Sequence, residues 1–407
     1  MQRRVFLANL AALCAPATAL RAAVAAASPA IALGDDVFLA DRWRALRGRR
    51  VGLITNQSGV TSRGVLLVDA IRENPGIDLR AIYAPEHGFR GNHSAGAYVG
   101  SYVDPQTGLP VYSLYGPNRH PSAEMLRDVD VLLFDIQDVG SRAYTFISTM
   151  AYAMQSAAQY GKSIWVLDRP NPVGGYIVEG PVMEPEDESF IGLYPIAFRH
   201  GMTVGELARM FNQRFGIDAE LNVVAMRGYT REMIWPDTGL RWVHTSPNIP
   251  YWRTCFPYLC TGLIDGLNVN NGVGTADPFF YAGGYEFDGA ALARTLNARD
   301  LAGVSFRDAS WSPSSGFWEG KTLSGVELVI DPRSFLAVRS AVEILCAVRA
   351  IDPRQIVVRS PVGVDHDWGT PALREALLAG APPETILESW AARTEAFRRE
   401  REPYLLY

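Results

Sequence analysis

The chain is poor in the residues that build several common kinds of functional centre. It has 4 cysteines in 407 residues. Cys14 falls in an N-terminal apolar stretch, leaving Cys255, Cys260 and Cys346, too few for a disulfide framework. Cys255 and Cys260 could bridge in an oxidising compartment, but two buried thiols is the plainer reading. Histidine is also scarce, 6 in all, with no H-E-x-x-H. The one conceivable donor set is His87 and His93 with Asp135 and Asp138, so no metal is expected. Neither G-x-G-x-x-G nor G-x-x-x-x-G-K-[ST] occurs, so nothing supports a nucleotide cofactor. Without a G-x-S-x-G elbow, a serine hydrolase of that type is disfavoured. The formal charge is −5 and no basic block stands out, which argues against a nucleic-acid partner. After the N-terminus no run reaches the ~18 apolar residues of a membrane helix.

What is present begins with Arg3-Arg4, then an apolar stretch, then the small-residue run Ala22-Ala23-Val24-Ala25-Ala26-Ala27. Residues 1–30 read as a signal peptide of twin-arginine type, which implies a periplasmic or secreted protein that keeps no stable membrane insertion. The rest is ordinary globular material, 48% hydrophobic and 20% charged, long enough for two domains. Aromatic residues make up 11%. A sugar cleft would use such rings, and so would any core.

Strand-like runs alternate with helical patterns in the first half. Arg50–Thr55, Leu79–Tyr83, Val129–Asp135, Ser163–Asp168 and Leu221–Val224 are the strands. The third is nearly continuous and β-branched, as a strand buried on both faces requires. Helical patterns cover Val65–Arg72 and Thr145–Tyr160, and Thr203-Val204-Gly205-Glu206 is a capping box opening a helix to about Phe215. The pattern predicts an α/β fold with an open, mostly parallel sheet flanked by helices. Near Gly262 the texture changes and glycines crowd. Strand-like runs at Gly303–Arg307 and Gly325–Ile330 and helices over Arg333–Arg349, Leu373–Ala379 and Pro383–Arg398 predict a smaller α+β domain. The domains are drawn as 31–265 and 266–407.

Ligands of parallel sheets bind beyond the C-terminal ends of the strands. Those positions read Asn56-Gln57; Glu86-His87-Gly88-Phe89-Arg90; Asp135, Gln137, Asp138, Arg142 and Tyr144; and Asp168-Arg169-Pro170-Asn171, with Glu179 beyond. A structural loop needs turn formers, but it does not need Glu-His, Gln-Asp and Asp-Arg as well. Carboxylates, arginines, amides and tyrosines converging on one cleft suit glycosidic bond cleavage. There, one carboxyl protonates the leaving oxygen and another group stabilises or attacks the anomeric centre.

These loops resemble the exo-β-N-acetylmuramidase family, long known as a bacterial domain of unknown function. The likeness is carried by Gly52–Gly59, Pro85–Gly91, Val111–Gly116, Phe134–Arg142, Asp168–Pro172, Val178–Pro181, Arg199–Thr203 and Ser246–Pro250, with a weaker tail at Tyr404–Tyr407. The resemblance implies a Rossmann-like catalytic domain, a smaller auxiliary domain and a cleft between them. It implies release of terminal N-acetylmuramic acid from the non-reducing end of peptidoglycan fragments, without a cofactor. It makes Glu86 the first catalytic residue, with Glu179 as second acid and Asp168 as the alternative. It adds Tyr115 and Asn248 to the substrate-binding set of Asn56, Gln57, His87, Arg90, Asp135, Gln137, Asp138, Arg142, Tyr144, Arg169 and Asn171.

The chain departs from the family pattern twice. After Pro85–Gly91 an acidic segment is expected where His93-Ser94-Ala95-Gly96-Ala97 stands. Where Glu-Gly-Arg-Gly-Thr is expected, the chain has Asn271-Gly272-Val273-Gly274-Thr275. These departures keep open a related glycosidase with another amino-sugar substrate. A non-catalytic cell-wall-binding protein on the same scaffold is the alternative from a different class.

Overall fold

The computed structural model describes residues 31–407 except positions 92 and 95. The leader expected over residues 1–30 lies outside the described residues. In chain order the first sheet contains β1 (Arg50–Thr55), β2 (Asp78–Ala84), β3 (Tyr102–Val103), β4 (Pro110–Ser113), β5 (Val131–Asp135) and β6 (Ser163–Leu167). A separate ribbon of β7 (Glu179–Val182) and β8 (Ala197–Arg199) precedes its last strand, β9 (Glu220–Val224). The spatial order is β3-β4-β2-β1-β5-β6-β9, and every pairing is parallel except β3 with β4. Chain order reverses between β1 and β5, so the crevice above them is the switch point of an open α/β sheet.

The composition of β5 shows why this sheet is central. Val131 and Leu133 share one core with Val51, Leu53, Phe38 and Ile71. Leu132 and Phe134 share the opposite core with Ile54, Met150 and Phe211. A strand turns alternate residues to opposite faces, so an unbroken apolar run needs cover on both. That cover comes from α1 (Gly34–Ala40) and α2 (Leu67–Arg72) on one side, and from α3 (Phe146–Gln159) and α4 (Val204–Arg214) on the other. The expected capping box starts α4. Glu206 N–H donates to Thr203 Oγ1 at 3.3 Å, and Thr203 N–H to Glu206 Oε2 at 3.0 Å.

The second half opens with α5 (Cys255–Thr261), followed by β10 (Tyr281–Tyr285), α6 (Gly289–Asn297), β11 (Val304–Trp311), β12 (Leu323–Ile330) and α7 (Ala337–Ile351). It closes with α8 (Pro361–Trp368), α9 (Ala372–Ala379) and α10 (Pro383–Glu400). The strands form an antiparallel sheet in the order β10-β12-β11. Neither β10 nor α6 is among the elements read from the sequence; in β10 paired glycines weaken the strand pattern. Packing supplies the reason for the glycines. Gly283 and Gly325 face each other across β10 and β12, and a Cβ on either would strike the opposite backbone. Gly289 lets the first turn of α6 press on Gly325 in the same way. Cys255 and Cys260 are buried and unbonded on α5, and Cys346 is unbonded on α7. Among the described residues no helix is long and apolar enough to cross a membrane.

Candidate active site

A cavity of about 380 Å³ lies between the strand-end loops of the first sheet and the second half of the chain. One wall carries Glu86, His87, Tyr144, Thr145, Phe198 and Asn248. The opposite wall carries Tyr258, Asp265, Asn271, Val273, Phe279, Phe317, Arg359 and Asp367.

Glu86 leaves the end of β2 in a tight turn. The next two residues, His87 and Gly88, have φ of 70° and 76°. Glycine adopts this region freely. For histidine it costs on the order of 1–3 kcal/mol, strain of the kind held at functional sites. His87 Nδ1 lies 2.9 Å from the His93 carbonyl, which can only accept. Nδ1 therefore carries the proton, and the Glu86 loop is closed on itself. Glu86 is 9% exposed, and both of its oxygens have donors. Gly96 N–H reaches Oε1 at 3.0 Å, and the Thr145 hydroxyl reaches Oε2 at 2.8 Å. Thr145 immediately precedes α3, so a helix start in the first sheet orients a carboxyl from the loop after β2. The Tyr115 phenol lies near Glu86. Burial, then the charge of that carboxylate, push the phenol up to about 12. Tyr144 donates to Thr245 Oγ1 at 2.6 Å. Gln57 donates to the carbonyls of His244 and Thr245 at 2.9 and 3.1 Å. Together they fasten the loop that brings Asn248 to the cavity.

The facing wall contains two more carboxyls. Asp265 follows α5 and is reachable by water, yet it sits deep among protein atoms. Burial raises it to about 6, against the charge of Arg359 and a bond from Asn271 Nδ2 at 3.1 Å. Asp367 lies near the end of α8. Burial, and then the charge of Asp265, hold it well above the usual carboxylate range. The Asn271–Thr275 segment is part of this wall. Asn271 braces Asp265, and Val273 presents an apolar surface.

The remaining expected site residues are placed elsewhere, and each placement has a physical reason. Glu179 does not line the cavity. It pairs with buried Arg199 at 3.0 Å and accepts the Ala337 N–H that opens α7, at 3.1 Å. Asp168 is fully buried and accepts from Arg169 N, Thr203 Oγ1, Gly205 N and Tyr407 OH at 2.7–2.9 Å. It caps α4 and ties down the C-terminus. Arg169 bonds Asp135 at 2.6 Å and Asp35 at 2.9 Å in a buried triad beneath the sheet's end. Asn56, Asp138 and Asn171 each accept the N–H two residues on, from Ser58, Gly140 and Val173. They make the turns after β1, β5 and β6. Gln137 bridges the Asp138 and Pro170 carbonyls, both at 2.8 Å. Arg90 pairs with Asp104 at 3.1 Å. Arg142, expected to bind substrate, is 1% exposed and donates to the Asp367 backbone carbonyl at 2.6 Å. It is a strut under the facing wall, and burial pulls it down to about 10.

Among the cavity residues missed are Thr145, Asp265, Arg359 and Asp367, besides the rings of Phe198, Tyr258, Phe279 and Phe317. Thr145 had a signal, since it stands one place after Tyr144 at a helix start. Asp265, Arg359 and Asp367 lie in stretches with no motif. Among the described residues no group of three or more His, Cys, Asp or Glu side chains could hold a metal ion. The residues once considered for one are apart, with His87 in the cavity and Asp135 beneath Arg169.

The comparisons with known proteins agree in both sequence and structure. Residues 51–253 match the family model described as exo-β-N-acetylmuramidase NamZ, N-terminal, and residues 256–407 match its C-terminal counterpart. The peptidoglycan β-N-acetylmuramidase NamZ of Bacillus subtilis (strain 168) is 44% identical over 383 residues, covering 94% of this chain and 92% of that protein. Two crystal structures of DUF1343 family proteins from Bacteroides fragilis NCTC 9343 superpose with TM-scores of 0.87 and 0.76, at 36% and 28% identity. Each superposition covers 93% of this chain and 99% of the other.

Proposed function

Because the chain belongs to the exo-β-N-acetylmuramidase NamZ family, we propose that it releases N-acetylmuramic acid from the non-reducing end of peptidoglycan fragments, with Glu86 transferring the proton at the glycosidic oxygen. The observation that carries this reading is the walled cavity. Its volume is at the small end of the roughly 300–1,000 Å³ of ligand pockets, room for a terminal sugar rather than a polymer lying in a groove. Glu86 stands on one wall, and Asp265 with Asp367 on the other. In this reading the first half of the chain supplies the proton-transfer group, and the second half, from α5 on rather than from the expected 266, completes the cleft. In place of Glu179 and Asp168, Asp265, the more readily ionised of the two facing acids, is the group that stabilises positive charge at the anomeric centre, with Asp367 beside it as a neutral acid. Nothing in the catalytic scheme calls for a cofactor.

The test is incubation with a chromogenic N-acetylmuramide and, in parallel, an N-acetylglucosaminide. Release from the muramide supports the reading. Release from the glucosaminide alone would establish a shifted specificity, for which the Val273 surface is the motivating feature. Release from neither would favour a cell-wall-binding protein. Export through the twin-arginine route is part of the same proposal. Arg3→Lys with Arg4→Lys should abolish it, and normal periplasmic amounts of that variant would refute the route.

A further inference from the structure

The cavity has an uneven charge inventory. Its lining includes the acids Glu86, Asp265 and Asp367 against one guanidinium, Arg359, with no lysine and no second arginine. An anion that enters the cavity has that single guanidinium to meet. The sugar of the proposed reaction is an anion. N-acetylmuramic acid differs from N-acetylglucosamine by a lactyl ether that ends in a carboxylate.

Arg359 is built to present one edge. Its Nε donates to the Leu267 carbonyl at 2.7 Å, and its guanidinium carbon lies 3.9 Å from the centre of the Phe317 ring. One hydrogen bond and one ring face fix the plane of the group. Its recorded side-chain hydrogen bond among the described residues uses Nε alone, so the edge bearing the two terminal nitrogens is left for a ligand. A planar fork held this way matches a carboxylate with two parallel bonds. Asp265 tempers the charge without capturing the fork. Its own bonding partner is Asn271, and the guanidinium acts on it through space. Arg142, the other arginine near this wall, spends a terminal nitrogen on the Asp367 carbonyl and does not reach the cavity.

We propose that Arg359 reads the lactyl carboxylate of the terminal muramic acid and so sets the preference for muramic over glucosaminyl ends. This inference rests on the proposed hydrolase reading and deepens it. Arg359 is a specificity residue, and the bond-breaking step does not pass through it.

The experiment is calorimetric titration of the full-length mature protein with N-acetylmuramic acid and with its lactyl carboxamide, with kinetics on the chromogenic muramide. The wild type should prefer the acid by about 10–100-fold, the worth of a charge-assisted bond. In Arg359→Gln that preference should vanish, with KM for the muramide raised by the same factor and kcat little changed. Arg359→Lys keeps the charge without the fork and should recover part of the preference. Equal affinity for acid and carboxamide in the wild type would overturn the proposal, as would an unchanged preference in a folded Arg359→Gln. A wild type that cleaves the muramide but shows no such preference refutes the role of Arg359 alone. A wild type that cleaves neither chromogenic sugar refutes the hydrolase reading with it.

Discussion

Two regions at the strand ends of the first sheet contain similar residues and differ in what those residues face. Above β1, β5 and β6 lies the switch-point crevice, where Ser58, Gln137, Arg169 and Trp242 line a pocket of about 230 Å³. Beyond β2 and the start of α3 lies the larger cavity with Glu86. The polar groups of the first region are mostly spent on the protein itself. Arg169 pairs with Asp35 and Asp135, Gln137 ties two carbonyls, and Asn56 and Ser58 bond each other. In the second region Glu86 is positioned by two donors, Gly96 N–H and the Thr145 hydroxyl, and still lines the cavity. The fold rule favours the first region, but the chemistry is available in the second, because another domain closes over it.

The largest expected effect separates the two regions outright. Glu86→Gln should lower kcat on a substrate with a poor leaving group by about 10²–10⁴-fold, the usual worth of general acid catalysis. Its melting temperature should stay near the wild-type value, and a good leaving group should lessen the loss. Near-normal turnover of the poor-leaving-group substrate would erase the distinction. Arg169→Met should do the opposite. Removing one partner from a buried ion network costs about 3–5 kcal/mol, so stability should collapse while activity per folded molecule persists. Urea denaturation with activity normalised to folded protein checks it, and a stable but inactive variant would move the chemistry to the switch point.

A smaller effect concerns pH. Burial raises Asp138 to about 7 from an ordinary value near 3.8. The folded state thus favours the neutral acid. The stability this gives is present in full below about pH 4 and is lost as pH rises to about 7. At 1.36 kcal/mol per pKa unit the change is on the order of 4 kcal/mol. Asp138→Asn should flatten that slope in urea titrations between pH 4 and 7, and an unaltered slope would assign it to other groups. The smallest effect is at Thr145→Val, which removes one donor to Glu86. A charge-assisted bond of about 1.5 kcal/mol corresponds to roughly tenfold in kcat, with little change in KM. Unchanged kcat would leave Thr145 with only its place at the head of α3.

Much of the sheet was legible because burial on both faces leaves an unmistakable run, as in Val131–Phe134, and because a capping box announces its own hydrogen bonds, as at Thr203 and Glu206. The site was legible on one wall only. Glu86, His87, Tyr144 and Asn248 line the cavity, while Asn56, Asp138 and Asn171 are turn-makers. Sequence cannot separate these two uses, because an Asx side chain that caps its own turn has the same spacing after a strand as one aimed at a ligand. Of the facing wall only the Asn271–Thr275 segment drew notice, and its charged groups left no trace. Asp265, Arg359 and Asp367 are brought together by tertiary packing of segments some 100 residues apart in the chain. Gly283 read as one of a crowd of glycines marking a change of texture, although its role, with Gly325, is to let two strands touch.

The most direct test is the crystal structure of Glu86→Gln bound to a disaccharide whose non-reducing end is N-acetylmuramic acid. The account predicts the terminal sugar between residue 86 and the wall of Asp265 and Asp367, with its lactyl carboxylate on Arg359. A sugar seated in the switch-point crevice, against Ser58, Gln137 and Trp242, would contradict it.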